Sequence, residues 1–372
     1  MLAAALFVPA AGVAAPQQSV TVEQLNGALA EGSGRTDAEV AQELGRLKLS
    51  ERVSGPRLTQ WMAALPGERS RAALTILADS AEWLEPEKGA IAANPVPDAA
   101  MLRDMLVSVV QYADTALRKL PNFIATRETE SFEDRPEEDL LESTGTVSLS
   151  EQPLHPSGRA AVEVTFHDGH EEQRGQKKEA KRGEGVHGLT TAGEFGPFLS
   201  TVLSDALKGK ITWARWEQGD NGVEGVFRYQ VPRNQSHYEV EFCCTNEEVD
   251  GVMAIPRFYR QVAGYHGEIV FDPATGVVKR VAIVAEQGRG ELVESAAMMV
   301  EYGPVVISGK TVTVPTRSVS LLGAHTSPSL HGLQMSSEKM GPVMTYLNDT
   351  RFENYHQFRG DVRMVDDGVS GP

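Results

Sequence analysis

The chain has 372 residues, 41% of them hydrophobic and 23% charged, with a formal net charge of −16. At this length a core needs no covalent staples, and the acidic far field repels phosphates, which argues against nucleic-acid and anionic-membrane partners. The most cationic stretch, QKKEAKR at 176–182, carries its own glutamate and reads as a solvated loop or hairpin tip.

The chain opens on MLAAALFVPAAGVAAPQQ, an apolar run followed by small residues near Val13, Ala14 and Ala15. Residues 1–15 therefore read as a secretory signal peptide, although no Lys or Arg precedes the apolar run. The run is too short to span a bilayer. No later stretch approaches spanning length, so the mature chain is expected to be soluble and exported, to a periplasm.

Residues 20–97 read as an α-helical domain with a linker. Thr36 followed by Glu39 makes a capping box, and Val40, Leu44 and Leu47 then share one helical face. Ser54 and Pro56 open a second helix that stops at Pro66-Gly67, with Leu58, Trp61, Met62 and Leu65 on one stripe. A third helix occupies 69–84, and the Pro/Ala-rich stretch 85–98 reads as a linker. Asp98 caps a long helix to residue 120 that turns Leu102, Met105, Leu106, Val109 and Val110 inward.

After Leu120 the hydrophobic period changes from 3.6 to 2 and stays there, so residues 98–365 read as an antiparallel β domain led by the long helix. Asp168-Gly169 and DPATG (272–276) are hairpin signals. Asn348–Thr350 reads as a turn or bulge. One helix, 193–210, interrupts the strands and ends at Gly209. The polar stretch 323–342 has the length of a functional loop. The expected fold class is α+β: an N-terminal α-helical domain, then a large, curved, half-barrel-like antiparallel sheet with one covering helix.

The only cysteines, Cys243 and Cys244, are adjacent. In a strand, Tyr238, Val240, Phe242 and Cys244 face one way and Cys243 the other. A core Cys244 with a half-exposed Cys243 is one reading; a vicinal disulfide at the strand end is the alternative. His167 and His170 flank the Asp168-Gly169 turn and would be opposed across a hairpin, where Glu171 or Glu172 could complete a metal site; ordinary surface chemistry at a hairpin tip is the favoured reading. Ser236 and His237 are adjacent and point apart in a strand, and no nucleophile elbow is present. The acidic stretch FEDRPEEDLLES needs no catalytic explanation in so acidic a chain. No catalytic residue and no cofactor is assigned.

Two stretches are more distinctive: GLTTAGEFGPFLSTVLSDALKGKITWARWEQ (188–218) and the pattern Y-x-G-x-x-x-x-D-x-x-T-G at 265–276. They resemble a group of uncharacterised exported bacterial proteins. The layout from 98 onward resembles the periplasmic lipoprotein-carrier and sigma-regulator-sensor fold, in which an unclosed antiparallel barrel covers a helix and an apolar cavity. That resemblance implies a non-enzymatic protein holding a hydrophobic ligand or a lipidated partner. Phe195, Phe198, Leu199, Val202, Leu203, Trp213 and Trp216 are the candidate lining residues, or else core filling beneath the helix. Trp213 and Trp216, three apart, should face opposite sides of a strand. A structural or protein-interaction module is the second reading. A metal-dependent hydrolase using His167, His170 or His237 is the third.

Overall fold

The computed structural model describes residues 17–30, 34–134, 153–174, 188–189, 194–243, 248–249, 252–253, 258–288, 291–325 and 343–357. The leader-like residues 1–15, the basic stretch 176–182, Cys244 and residues 326–342 lie outside them. Helix and strand are both present, and the strands are dominated by one open, antiparallel, ten-stranded sheet.

Four helices begin the chain: α1 (Val22–Ala30), α2 (Asp37–Leu44), α3 (Gly55–Ala64) and α4 (Glu68–Asp79). The Thr36–Glu39 capping box forms as the sequence requires. Ser54 departs from expectation: its side chain makes no cap bond. Its hydroxyl donates instead to Glu87 at 2.6 Å. A short parallel ladder that periodicity did not reveal, β1 (Gln18–Val20) with β2 (Leu47–Leu49), sits among these helices. Leu25, Val40, Leu44, Trp61 and Leu74 close a shared core there.

The stretch 85–98 is not a free tether. The Arg52 amide donates to the Glu85 carbonyl and its carbonyl accepts from the Glu87 amide, Ile91 bridges Glu217, and the Trp216 indole donates to the Pro95 carbonyl at 2.7 Å. Asp98 then caps α5 (Ala99–Lys119) by accepting from the Ala100 and Met101 amides.

The large sheet comprises β3 (Phe123–Glu133), β4 (His155–His167), β5 (His170–Arg174), β6 (Lys210–Gly219), β7 (Gly222–Val231), β12 (Gly264–Phe271), β13 (Val278–Glu286), β14 (Val293–Ile307), β15 (Lys310–His325) and β16 (Val343–Gln357). Smaller pairs are made by β8 (Glu239–Cys243) with β11 (Phe258–Val262) and by β9 (Glu248–Val249) with β10 (Val252–Met253). The spatial order is β5-β4-β3-β16-β15-β14-β13-β12-β7-β6, with β5 and β6 at the two edges. The final strand, β16, is therefore central. Its residues Asn348–Thr350 are not a turn; they pair with Ser131–Thr129 of β3 and Ser320–Ser318 of β15. Polar residues interrupt its alternation, which is why it read as irregular.

The second covering element, α6 (Pro197–Lys208), packs with α5 on one face of the sheet, the inner face. Two helices share this face rather than one. The Y-x-G-x-x-x-x-D-x-x-T-G residues explain the join. Gly267 leaves room for the Tyr229 hydroxyl to reach the Ala282 carbonyl at 2.6 Å; a Cβ there would lie 1.8 Å from that carbonyl oxygen. Asp272 accepts from the Ala274 and Thr275 amides, which shapes the β12–β13 turn. Gly276, at φ 73°, presses that turn against the α5 backbone at Ser108–Val109, where a Cβ would clash.

The opposite, outer face meets α4 and the segment after it. Ile76 and Trp83 pack on Phe132, Ala282, Met299, Val319 and Leu347. Around that apolar centre lies a grid of charges. Arg317 engages Asp79 and, at 2.9 Å, Asp349. Arg280 donates to the Glu82 carbonyl at 2.5 Å and pairs with its carboxylate at 3.2 Å. Arg215 grips Glu268 through two bonds of 2.8 and 2.7 Å and also holds Glu217. Arg52 reaches the other Glu217 oxygen at 2.6 Å, and Arg228 joins Glu268 to Glu85.

Candidate ligand-binding face

On the inner face, Phe198, Leu199, Val202 and Leu203 of α6 are all buried and form one core with Met105 and Val109 of α5 and with Phe227, Tyr229, Ile269 and Phe271 of the sheet. Phe195 does not join them. It lies in a separate aromatic cluster with Phe123, Phe166 and Phe352, its ring 5.2 Å from that of Phe123.

Trp213 and Trp216 overturn the alternation argument. The register of β6 against β7 slips between Trp213 and Arg215, so Trp213 faces Phe227 and Trp216 faces Gly225. One extra residue in the strand resets its two-residue period and re-aims the side chains that follow. Both indoles consequently point inward and meet edge to face, with centroids 4.7 Å apart. Trp213 then meets Phe227 at 5.8 Å, and Phe227 stacks on Phe271 at 4.9 Å. The four rings run from the half-exposed edge of the sheet into its buried interior. In the segment bonded to the outer ring, Ile91 and Val96 are exposed, Val96 at 75%.

The same face changes character across β15, β16 and β3. Pairing register places Ser318 beside Thr350 and Thr129, and Ser320 beside Asn348 and Ser131. All six are at most 6% exposed. Thr129 and Thr350 share a hydrogen bond of 2.9 Å. Next along β3, Arg127 pairs with the wholly buried Glu194 at 3.2 Å. The Ser131 hydroxyl, the second Glu194 oxygen and the Tyr302 hydroxyl have no protein partner. An orphaned buried polar atom costs about 1–3 kcal/mol. Burial, and then the nearby Glu194 charge, holds the Tyr302 phenol well above its usual range, so it stays protonated and able to donate. Sequence reasoning passed over these residues. The signal was present in TRETES and RSVS, where the positions on the covered face are polar as well.

The C-terminal end of α6 is anchored by Asp205, which is fully buried. It accepts from the His237 amide at 2.7 Å, from His237 Nδ1 at 2.6 Å and from the Tyr265 hydroxyl at 3.1 Å. His237 thus anchors a helix; Ser236 is occupied separately, its oxygen accepting from the Tyr238 amide. His167 and His170 do oppose each other across the Asp168-Gly169 turn, and both turn residues have positive φ. His167 lies 3.2 Å from Glu172, but among the described residues no three His, Cys, Asp or Glu side chains stand together as a metal site. Cys243 closes β8 opposite Phe258, and Val240 and Phe242 are buried as the alternation requires. The disulfide question itself turns on Cys244, outside the described residues.

A separate cavity of about 330 Å³ lies among α1, α2 and α3, with Leu29, Val40, Trp61 and Leu65 in its wall and Asn26 accepting from the Trp61 indole at 3.0 Å. Among the described residues no helix is long and apolar enough to cross a membrane. No family model, no curated protein and no solved structure matches the chain.

Proposed function

We propose that this chain is an exported, periplasmic, non-enzymatic binding protein that carries or senses a hydrophobic ligand or a lipidated partner against the inner face of its sheet. In this reading the open sheet is a curved half-barrel, and residues 20–97 are an α-helical domain attached to its outer face. One observation carries it: four aromatic rings lead from a half-exposed tryptophan pair at the sheet edge into the interior under α5 and α6. Large flat apolar side chains at an opening, continuous with an apolar interior, are the usual lining of a ligand site. A bulge that turns a second indole inward gives that edge more apolar area than an unbroken strand would.

A second reading, a protein-interaction module, draws on the exposed Ile91 and Val96 of the segment bonded to Trp216, since clustered exposed apolar side chains mark contact surfaces. The two separate by tryptophan quenching. Dibromostearate titrated into the full chain should quench the fluorescence of Trp213 and Trp216 saturably. The quenching should vanish in the Trp213→Phe/Trp216→Phe double variant. Quenching that survives in the double variant and disappears in Trp61→Phe would seat the ligand in the N-terminal cavity instead and overturn this site. No quenching at all would leave the interaction module.

A further inference from the structure

An asparagine followed by glycine is prone to losing its side-chain amide spontaneously. Glycine has no Cβ, so its main-chain nitrogen stays open to the neighbouring side-chain carbonyl. The chain holds two such dipeptides, Asn26-Gly27 and Asn221-Gly222, and the fold treats them in opposite ways. Asn26 lies in the middle of α1, where the helical ladder fixes the Gly27 nitrogen. Its side-chain oxygen is also engaged, accepting from the buried Trp61 indole at 3.0 Å. Asn221 stands at the tip of the β6–β7 hairpin. Asp220 and Asn221 form the turn between the paired Gly219 and Gly222, and Asp220, Asn221 and Gly222 are all exposed. Gly222 has φ 132°, and no atom beyond its chain neighbours lies within 4 Å of the position a Cβ would take. Exposed tips of this kind open locally without disturbing a core.

We propose that Asn221 is a site of spontaneous deamidation, with the Gly222 nitrogen as nucleophile, and that the fold protects Asn26. The Gly222 nitrogen attacks Asn221 Cγ. A new carbon–nitrogen bond forms, the bond to the side-chain nitrogen breaks, and ammonia leaves with the proton of the Gly222 amide. Water then opens the cyclic imide at either carbonyl, so each event consumes a water and releases an ammonia. Opening at one carbonyl gives aspartate. Opening at the other gives isoaspartate, whose main chain is longer by a methylene. The reaction needs no oxidant, metal or partner. Either product adds a carboxylate to a tip that already carries Asp220, on the hairpin where Glu217 and Glu224 face each other. Like charges gathered on paired strands repel, so the product marks the edge strand β6 with added negative charge.

The test follows both dipeptides in the same sample. The full-length protein is incubated at mildly alkaline pH, native and in urea, and its peptides are mapped by mass spectrometry over time. In the native protein, conversion of amide to acid at Asn221 should outrun that at Asn26 by at least about ten-fold. The converted Asn221 peptide should separate into two forms of equal mass, isoaspartyl and aspartyl. In urea the two sites should converge, because both then lie in open chain. Asn221→Gln should abolish conversion at the tip and leave Asn26 as it was, since glutamine must close a larger ring. Equal native rates at Asn26 and Asn221 would overturn the inference. So would an Asn221 rate that rises on unfolding as steeply as that of Asn26, because the hairpin tip would then protect its amide as the helix does.

Discussion

The two faces of the sheet solve burial in opposite ways. On the outer face, Arg52, Arg215, Arg228, Arg280 and Arg317 meet Asp79, Glu82, Glu85, Glu217, Glu268 and Asp349, five cations against six anions, with Arg52 Nε, Asp79 Oδ2 and Arg280 Nε left without a partner. On the inner face the polar atoms are mostly neutral and three are left open. A matched ionic grid ties α4 and the segment after it to one arrangement, because moving either side would strand charges out of water. The inner face is held instead by apolar packing under α5 and α6, with Arg127 and Glu194 as a buried ion pair beside it.

The comparison breaks most visibly at Arg317. This side chain serves both Asp79, which is wholly buried, and Asp349, which is 3% exposed. Burial first, with the Asp349 and Glu82 charges adding to it, holds the Asp79 carboxyl well above its usual range, and Arg317 is the main force opposing that rise. Arg317→Met keeps the volume and strands both acids. It should cost about 3–5 kcal/mol of stability, read as a lower urea midpoint. Adding Asp79→Leu should restore much of the loss, because an apolar pair can replace a buried ionic one. A loss under about 1 kcal/mol would mean that the grid is solvated, as surface pairs are.

Acid acts on the same grid with a smaller effect. Burial would raise the Glu268 carboxyl, but the bonds from Arg215 and Arg228 outweigh it and hold the group at about 2, below its unfolded value of 4.5. A depressed carboxylate contributes stability above the unfolded value and loses it as pH falls toward the folded one. The contribution, about 3 kcal/mol, should therefore fade between pH 4.5 and 2. Glu268→Gln should flatten that part of the stability curve while reducing stability at neutral pH.

What the sequence disclosed divides along the same line. The inner face is largely legible, because local pattern dictates it. The period-2 strands, the Asp98 cap and the Y-x-G-x-x-x-x-D-x-x-T-G turn all follow from residues close together in the chain. The indole pair was misplaced only because a one-residue bulge leaves no mark in composition. The outer face is illegible for a different reason. Arg52 finds Glu217 across 165 residues, Arg280 finds Glu82 across 198 and Arg317 finds Asp79 across 238. In so acidic a chain each carboxylate reads as solvated surface, and no local pattern announces its partner. The central place of β16 was hidden likewise, since Asn348 and Asp349 find their uses only once β3 and β15 lie on either side.

The finest distinction between the faces lies at the edge of the grid, where pairing puts Glu217 directly opposite Glu224. Like charges facing each other across strands repel. Glu217 is secured by Arg52 and Arg215, so the strain falls on Glu224. Burial first, and the Glu217 charge second, push its carboxyl up to about 7. The native state thus keeps a proton that the unfolded chain releases near 4.5, so this group's effect on stability becomes steadily less favourable as pH rises from 4.5 to 7. Glu224→Gln removes the titration. It should match the parent near pH 4 and exceed its unfolding midpoint near pH 8, by under about 1 kcal/mol because the side chain is partly solvated. If the two proteins instead melt together at both pH values, Glu224 escapes its neighbour by turning into water, and the grid ends at Glu217. A gain confined to high pH would place the last residue of the grid at the β6–β7 edge, on the face opposite the tryptophan pair.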